Sequence, residues 1–319
     1  MHDILLVGCG NIGFRHLQAL AALDDAVAGA VTVIEPTPAH HPRIAALLDA
    51  LPEGRRRAAR LLAALPDAAG EFALAIFATN SAERRAAYEA ARRKARFAAV
   101  VFEKVLFPRL RDFDEVAADL AAGASAAHVN CPHRAAPGYR AVRARLAGRG
   151  PVHLEVTGTA YGLGSNAVHF LDLAEFLNRA ALVSLDGSGL LPGHEPSKRP
   201  GYVELFGTLT GRLDNGAEVL LRCDRGETPR VTVTLRSAEG SLAVDEAAQT
   251  VRRLPLGAPE RFEMRHVSEL TAAYADLLAG RGDGFSPFAD SARQHRLLIA
   301  ALLRHLGRPA TPDAVCPIS

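Results

Sequence analysis

Hydrophobic positions fall into two regimes along the chain. Over the first 150 residues, short apolar runs alternate with stretches of helical period. Residues 4–7 (ILLV) predict a strand, followed by glycines and a helix with Leu17, Leu20 and Leu23 on one face. Residues 30–34 predict a second strand, and 42–51 and 55–65 predict helices. Residues 72–78 (FALAIFA) and 98–102 (AAVVF) are near-continuous apolar runs, as strands buried on both faces should be. Ser81 is a predicted N-cap for a helix over 82–93. A helix over 111–121, a strand over 127–130 and a proline-initiated helix over 137–147 complete this part. Repeated strand–helix units predict an α/β doubly wound parallel sheet.

From residue 151 a period of two takes over. Residues 152–157 alternate, a glycine-rich loop spans 158–165, and a helix is expected over 166–178. Strands are expected over 203–209, 217–223, 230–237, 241–244 and 251–254, with Asp214-Asn215-Gly216 as a hairpin turn. Helices over 267–278 and 288–306 close the chain. This predicts an α+β domain with an antiparallel sheet and helices on one face. The expected division is residues 1–125 for the nucleotide-binding domain and 126–319 for substrate binding and oligomerisation. A sheet covered on one side only predicts a homodimer or homotetramer through the other.

Composition narrows the function. The 319 residues are 49% hydrophobic and 23% charged, with a formal net charge of +2, which argues against nucleic acid or an anionic membrane as partner. No apolar run is long enough to span a bilayer, and the short run after Asp3 is not a signal peptide. Four scattered cysteines predict reduced thiols and a cytoplasmic location. Among 37 basic residues only Lys94, Lys104 and Lys198 are lysine, so a lysine stands out here.

The first strand runs straight into Gly8, Cys9, Gly10, Asn11, Ile12 and Gly13. Such a turn places a helix N-terminus against a pyrophosphate, with the glycines supplying the tight exit, the close backbone approach and the helix–strand packing. Glu35 ends the second strand 22 residues after Gly13, close to the spacing of an acid that holds the adenosine ribose. It favours NAD over NADP, whose 2′-phosphate it would repel. Ligands of such sheets bind beyond the strands' carboxyl ends, here also Thr79, Asn80, Glu103 and Lys104.

Residues 8–16 (GCGNIGFRH), 77–81 (FATNS), 102–107 (FEKVLF) and 164–173 (GSNAVHFLDL) together resemble the glucose–fructose oxidoreductase / inositol dehydrogenase (Gfo/Idh/MocA) family. Residues 128–140 (HVNCPHRAAPGYR) resemble a branch associated with bacterial surface-sugar biosynthesis. The resemblance implies an N-terminal Rossmann domain and a C-terminal domain with a large open sheet. It also implies hydride transfer between a nicotinamide cofactor and a sugar, cyclitol or nucleotide-linked sugar. Lys104 matches the lysine of the family's Glu-Lys-Pro motif, with Val105 in place of proline. His169 and Asp172 match the end of its Asp-x-Gly-x-His-x-x-Asp pattern, but Ser165 stands where the first aspartate belongs and Ala167 replaces the glycine. The resemblance thus implies Lys104 and His169 as the catalytic pair.

Asp172 is a candidate substrate residue, or one that orients His169. Arg134, near Asn130 and His133, is a candidate for a substrate anion, or a domain-interface arginine. Tyr161 and Asn166 are candidates for sugar hydroxyls. His40-His41, His194, His266 and His295 lack ligand spacing, so no metal site is expected. Two rivals stay open: a non-catalytic NAD-binding sensor or scaffold, favoured by Ser165, and an enzyme that retains NAD for elimination or epimerisation.

Overall fold

The computed structural model describes residues 1–319, which form two compact units. The first comprises Met1–Phe107, Asp112–Pro132 and Arg265–Phe288; the second comprises Pro108–Arg111, His133–Met264 and Ala289–Ser319. The chain therefore does not divide once, after residue 125.

The first unit starts with β1 (His2–Val7), α1 (Asn11–Ala21), β2 (Ala28–Ile34), α2 (His41–Asp49) and α3 (Glu53–Ala58). It continues with β3 (Arg60–Leu62), β4 (Gly70–Phe77), α4 (Ser81–Arg92), β5 (Ala95–Phe102), α5 (Leu110–Ala122) and β6 (Ala126–Val129). The sheet order β3-β2-β1-β4-β5-β6 is parallel throughout, the doubly wound order of dinucleotide-binding folds. Its central strands are fully buried through Leu5, Leu6, Ala75, Ile76, Val100 and Val101. Two local expectations fail. The helix expected over 55–65 ends at Ala58, and Arg60–Leu62 pairs with Thr32–Ile34 because the free edge of β2 offers the backbone a ladder. The N-cap of α4 is Asn80, in extended backbone, and Ser81 is the first helical residue.

The second unit contains α6 (Pro137–Leu146), β7 (His153–Thr159), α7 (Leu163–Asn178), β8 (Leu182–Leu190), β9 (Glu195–Pro196) and β10 (Val203–Glu204). Then come β11 (Gly207–Leu213), β12 (Glu218–Asp224), β13 (Arg230–Ser237), β14 (Gly240–Asp245), β15 (Thr250–Leu254) and β16 (Glu260–Arg261). The eight-stranded order is β16-β15-β14-β13-β7-β12-β11-β8, antiparallel except for the parallel pair β7–β12. The strand expected over 203–209 is broken. Gly207 adopts φ +107°, and a Cβ there would lie 2.5 Å from Leu191 N, so the chain turns out of β10 into β11 at this glycine.

The chain ends with α8 (Thr271–Leu278), β17 (Ser286–Pro287) and α9 (Phe288–His305). Here α8 and β17 return to the first unit, where β17 lies antiparallel to β6 and Thr271 Oγ1 donates to Ala19 O of α1 at 2.9 Å. In the second unit Glu175 of α7 accepts from Leu182 N at 2.6 Å, Arg293 Nη2 at 2.9 Å and Gln294 Nε2 at 2.8 Å, tying α7 to β8 and α9. Burial nonetheless pushes its carboxyl up, against these bonds. The opposite sheet face is polar: Glu155, Asp186, Thr210, Arg212 and Arg236 line a depression of about 450 Å³.

The packing of α1 on β1 gives a direct test. A Cβ at Gly13 would lie 2.1 Å from Gly8 O, a backbone atom that cannot swing aside. Gly13→Ala is expected to destabilise by at least the ~1–3 kcal/mol typical of overpacking. Gly54→Ala, in α3 with nothing within 4 Å, should be neutral or stabilising by up to ~1 kcal/mol. Thermal melts of the two variants check the contrast; equal melting temperatures would contradict it.

Candidate functional site

In the first unit the predicted residues gather at the carboxyl ends of β1, β2, β4 and β5. Gly8, at φ +82°, presses against Thr79: a Cβ there would lie 2.9 Å from Thr79 Cγ2. Gly10 faces open space, its nearest neighbour being His40 Cε1 at 3.9 Å. The first turn of α1 has no side-chain cap, so the N–H groups of Asn11, Ile12 and Gly13 are left for an anion. An apolar cavity of about 300 Å³ opens beside Gly8, lined by Val7, Ile34, Pro36, Ala63, Leu65 and Thr79. Thr79 Oγ1 is buried with no hydrogen-bond partner. An uncapped helix start, a cavity of purine character and an orphaned hydroxyl fit a dinucleotide.

Glu35 is 4% exposed and folds back on the glycine turn. Cys9 N donates to its Oε2 at 2.6 Å, Thr37 N donates to its Oε1 at 2.9 Å, and His40 Nδ1 lies 3.4 Å from Oε2. Burial pushes the carboxyl up, but these bonds outweigh it and hold Glu35 below the usual glutamate value. Arg43 also reaches the turn, donating to Cys9 O at 3.1 Å and Asn11 Oδ1 at 3.2 Å, and lies 5.0 Å over the Phe14 ring.

Glu103 and Lys104 end β5. Glu103 is buried in a network that the sequence does not reveal. His16 Nε2 lies 2.8 Å from Glu103 Oε1, which also accepts from Asn130 Nδ2 at 2.5 Å. Tyr274 Oη lies 2.5 Å from His16 Nδ1. Burial and then the Glu103 charge push the Tyr274 hydroxyl well up, so it stays a donor. Tyr274 donates to Nδ1 and Nε2 faces Glu103, so both ring nitrogens of His16 are engaged, while Asn130 Oδ1 is left without a partner. Lys104 N donates to Glu103 Oε2 at 3.2 Å, so the network fixes the backbone that carries the half-buried Lys104. Arg84, 2% exposed on α4, donates to Leu106 O at 3.0 Å and also to Val105 O and Thr79 O, joining two strand-end loops.

The remaining predicted residues lie in the second unit. Tyr161 is buried with its hydroxyl unpartnered, its ring edge-on to Phe170. Asn166 Nδ2 donates to Tyr161 O and to Ser165 Oγ. Asp172 is fully buried, and Arg134 Nε donates to its two oxygens at 2.9 and 2.7 Å. Arg134 and Asp172 thus pair with each other inside the second unit. The half-buried His169 lies one turn after Ser165 on α7, and its carbonyl faces His133 Nδ1 at 3.3 Å. His133 Nε2 lies 3.1 Å from Glu246 Oε1, which also accepts from Tyr139 Oη at 2.5 Å. Burial lowers the His133 pKa, but Glu246 outweighs it and the net shift is upward. Both ring nitrogens face acceptors, which suits an imidazolium. Glu246 carries no local motif that would have marked it. No group of three His, Cys, Asp or Glu side chains is placed to share a metal ion. No helix is long and apolar enough to cross a membrane.

No protein-family model matches the sequence, and no curated protein matches it. Solved structures do share its fold. A UDP-N-acetylglucosamine 3-dehydrogenase from Acidithiobacillus ferrooxidans is 17% identical, with 97% of this chain and 98% of that chain covered and a TM-score of 0.65. A scyllo-inositol dehydrogenase from Lactobacillus casei, solved with NAD(H) and scyllo-inositol, is 14% identical over 96% of each chain at a TM-score of 0.66. An oxidoreductase from Agrobacterium radiobacter, in complex with NAD+, L-tartaric acid and magnesium, is 16% identical over 96% of this chain and 97% of that one, at 0.69. The fold implied by the family resemblance is therefore present over nearly the whole chain.

The Glu103 network predicts an acid response. Its bonds outweigh burial and hold the carboxyl below its ordinary value near 4.5, so the stabilisation is complete above that value and is lost as pH falls through the lower, folded-state value. Glu103→Gln should cost ~1–3 kcal/mol near neutrality and flatten the acid limb of stability measured from about pH 3 to about pH 7. An acid limb as steep as in wild type would contradict the assignment.

Proposed function

We propose that this chain is an NAD-dependent oxidoreductase that moves a hydride between the nicotinamide and a hydroxyl or keto carbon of a sugar, cyclitol or nucleotide-linked sugar. The observation that carries the reading is the end of the parallel sheet. There an uncapped helix start, Glu35 and Lys104 stand at the carboxyl ends of strands in one sheet, with an apolar cavity fit for adenine at that end. The structures of like fold support the substrate class, because those named above act on a UDP-sugar and an inositol.

In this reading, bound NAD supplies the hydride chemistry. Asn11, Ile12 and Gly13 receive its pyrophosphate, and Glu35 the adenosine ribose. Thr79, Asn80 and Glu103 border the same strand ends. Lys104 donates a hydrogen bond to the reacting hydroxyl and stabilises negative charge as it forms. His169 exchanges the proton. Tyr161 and Asn166 contact sugar hydroxyls, while Arg134 and Asp172 hold the helix that carries His169. A cytoplasmic location accords with four buried free thiols. The polar open face of the eight-stranded sheet would join copies into a dimer or tetramer.

Three outcomes test this reading. NAD+ should bind at least about tenfold tighter than NADP+, a difference of ~1.4 kcal/mol; fluorescence titration of both cofactors decides it. Lys104→Ala and His169→Ala should each lower kcat by about 10²–10⁴-fold while leaving NAD affinity unchanged. Lys104→Arg should fail too, because the planar guanidinium fork has a different shape from the compact ammonium and cannot place its charge on the same oxygen. Wild-type turnover in both alanine variants would refute the mechanism. Sedimentation at micromolar concentration should give a dimer or tetramer, and a monomer would count against the sheet interface.

A further inference from the structure

Ser165 stands where a carboxylate is expected on α7, yet a carboxylate is there. Glu204, from the short strand β10, places Oε2 2.5 Å from Ser165 Oγ, which donates to it. Its Oε1 accepts from the N–H groups of Gly164, Ser165 and Leu205. All four donors are neutral. The surrounding backbone is shaped around this side chain. A Cβ at Gly162, which has φ +76°, would lie 2.3 Å from Glu204, and one at Gly164 would lie 2.8 Å from it. The N-cap residue of α7, Gly162, offers no side-chain cap of its own.

Two amide donors at a helix start and a third from Leu205 would by themselves pull a carboxyl down. Burial overrides them and pushes Glu204 up. The titratable groups facing it are Ser165 from α7 and Cys223 from β12, whose thiol burial also raises, with Asp224 and Tyr161 grouped around Cys223. None of these is a cation. Glu204 remains half-buried, so it has access to water.

We propose, resting on the dehydrogenase reading above, that the Ser165–Glu204 pair supplies the carboxylate missing at position 165 and carries the proton of His169 to water. Each oxidation breaks a C–H and an O–H bond of the sugar carbinol and forms a C=O bond. The hydride would leave to the NAD+ named above, the two-electron acceptor. His169 takes the proton and must lose it before the next turnover. Ser165, four residues earlier on the same helical face, receives that proton at Oγ by way of a water molecule as its own moves to Glu204 Oε2. Glu204 then returns it to water. A raised carboxyl suits this step, because a proton passes most readily between groups of similar pKa. Glu204 is a positioning residue that acts through Ser165.

The experiment uses the full chain, with NAD+ and, as probes, UDP-N-acetylglucosamine and scyllo-inositol. Glu204→Gln should lower kcat by about 10²-fold or more, with KM, NAD+ affinity and melting temperature near wild type. It should also remove the acid-side inflection of the kcat–pH profile. Ser165→Ala should do the same while sparing the amide bonds to Glu204, so it decides the matter if Glu204→Gln fails to fold. Ser165→Asp in the Glu204→Gln background should restore turnover. Wild-type kcat and pH profile in Glu204→Gln, with only Glu204→Ala losing melting temperature, would reduce Glu204 to a helix cap and overturn the proposal. A ¹³C-carboxyl titration, wild type against Glu204→Gln, needs no substrate. Beside Glu175 it should show a second glutamate titrating above the ordinary range, one that is absent from Glu204→Gln and moves in Ser165→Ala, and an ordinary value for that glutamate would also overturn the proposal. If wild type binds NAD+ but reduces it with neither probe, the oxidoreductase reading fails on those probes, and the titration alone decides on Glu204.

Discussion

The first unit is organised around the contact of α1 with the turn that precedes it. A side chain at Gly13 would collide with the Gly8 carbonyl, and one at Gly8 would collide with Thr79. Bare backbone therefore meets bare backbone at the ends of β1 and β4. That closeness aims the uncapped start of α1 across the strand ends and leaves Gly10 open to a ligand. Glu35 closes the turn from β2 through Cys9 N, and Arg84 fastens the Thr79 loop to the segment after Lys104. The carboxyl ends of four strands thus behave as one surface.

Buried carboxylates do similar work in both units, with different electrostatic outcomes. Each of Glu35, Glu103 and Glu204 accepts backbone N–H groups of a neighbouring loop and so fixes that loop. For Glu35 and Glu103, hydrogen bonds outweigh burial and keep the charge on. For Glu204, burial prevails. The same side chain thus provides permanent anions in the first unit and a group suited to taking up a proton in the second.

Much of this was legible in the sequence where signals are local. The apolar runs gave β1, β4 and β5, and the glycines with Glu35 marked the cofactor end of the sheet. What escaped depends on distant partners. β3 is three residues whose identity as a strand comes only from the edge of β2. β8 contains Asp186-Gly187-Ser188-Gly189, turn chemistry in isolation, yet Gly187 there makes room for Leu209 and Ala301. His16 and Tyr274 are 258 positions apart, and Ser165 and Glu204 are 39 apart. No period or motif spans such distances. The substitution at Ser165 was visible; its partner was not, because a strand of two residues leaves no pattern to read.

The return of residues 265–288 to the first unit has a consequence for how the chain is made. Synthesis proceeds from the N-terminus, and domains tend to fold as they emerge. The nucleotide-binding unit is begun first, but α8 and β17 leave the ribosome only after all eight strands of the other sheet have been made. Until then the outer edge of β6 lacks its antiparallel neighbour, and His16 lacks Tyr274. A nascent chain must therefore carry an unfinished sheet edge, the kind of surface on which chains aggregate, from the completion of β6 until β17 has been made.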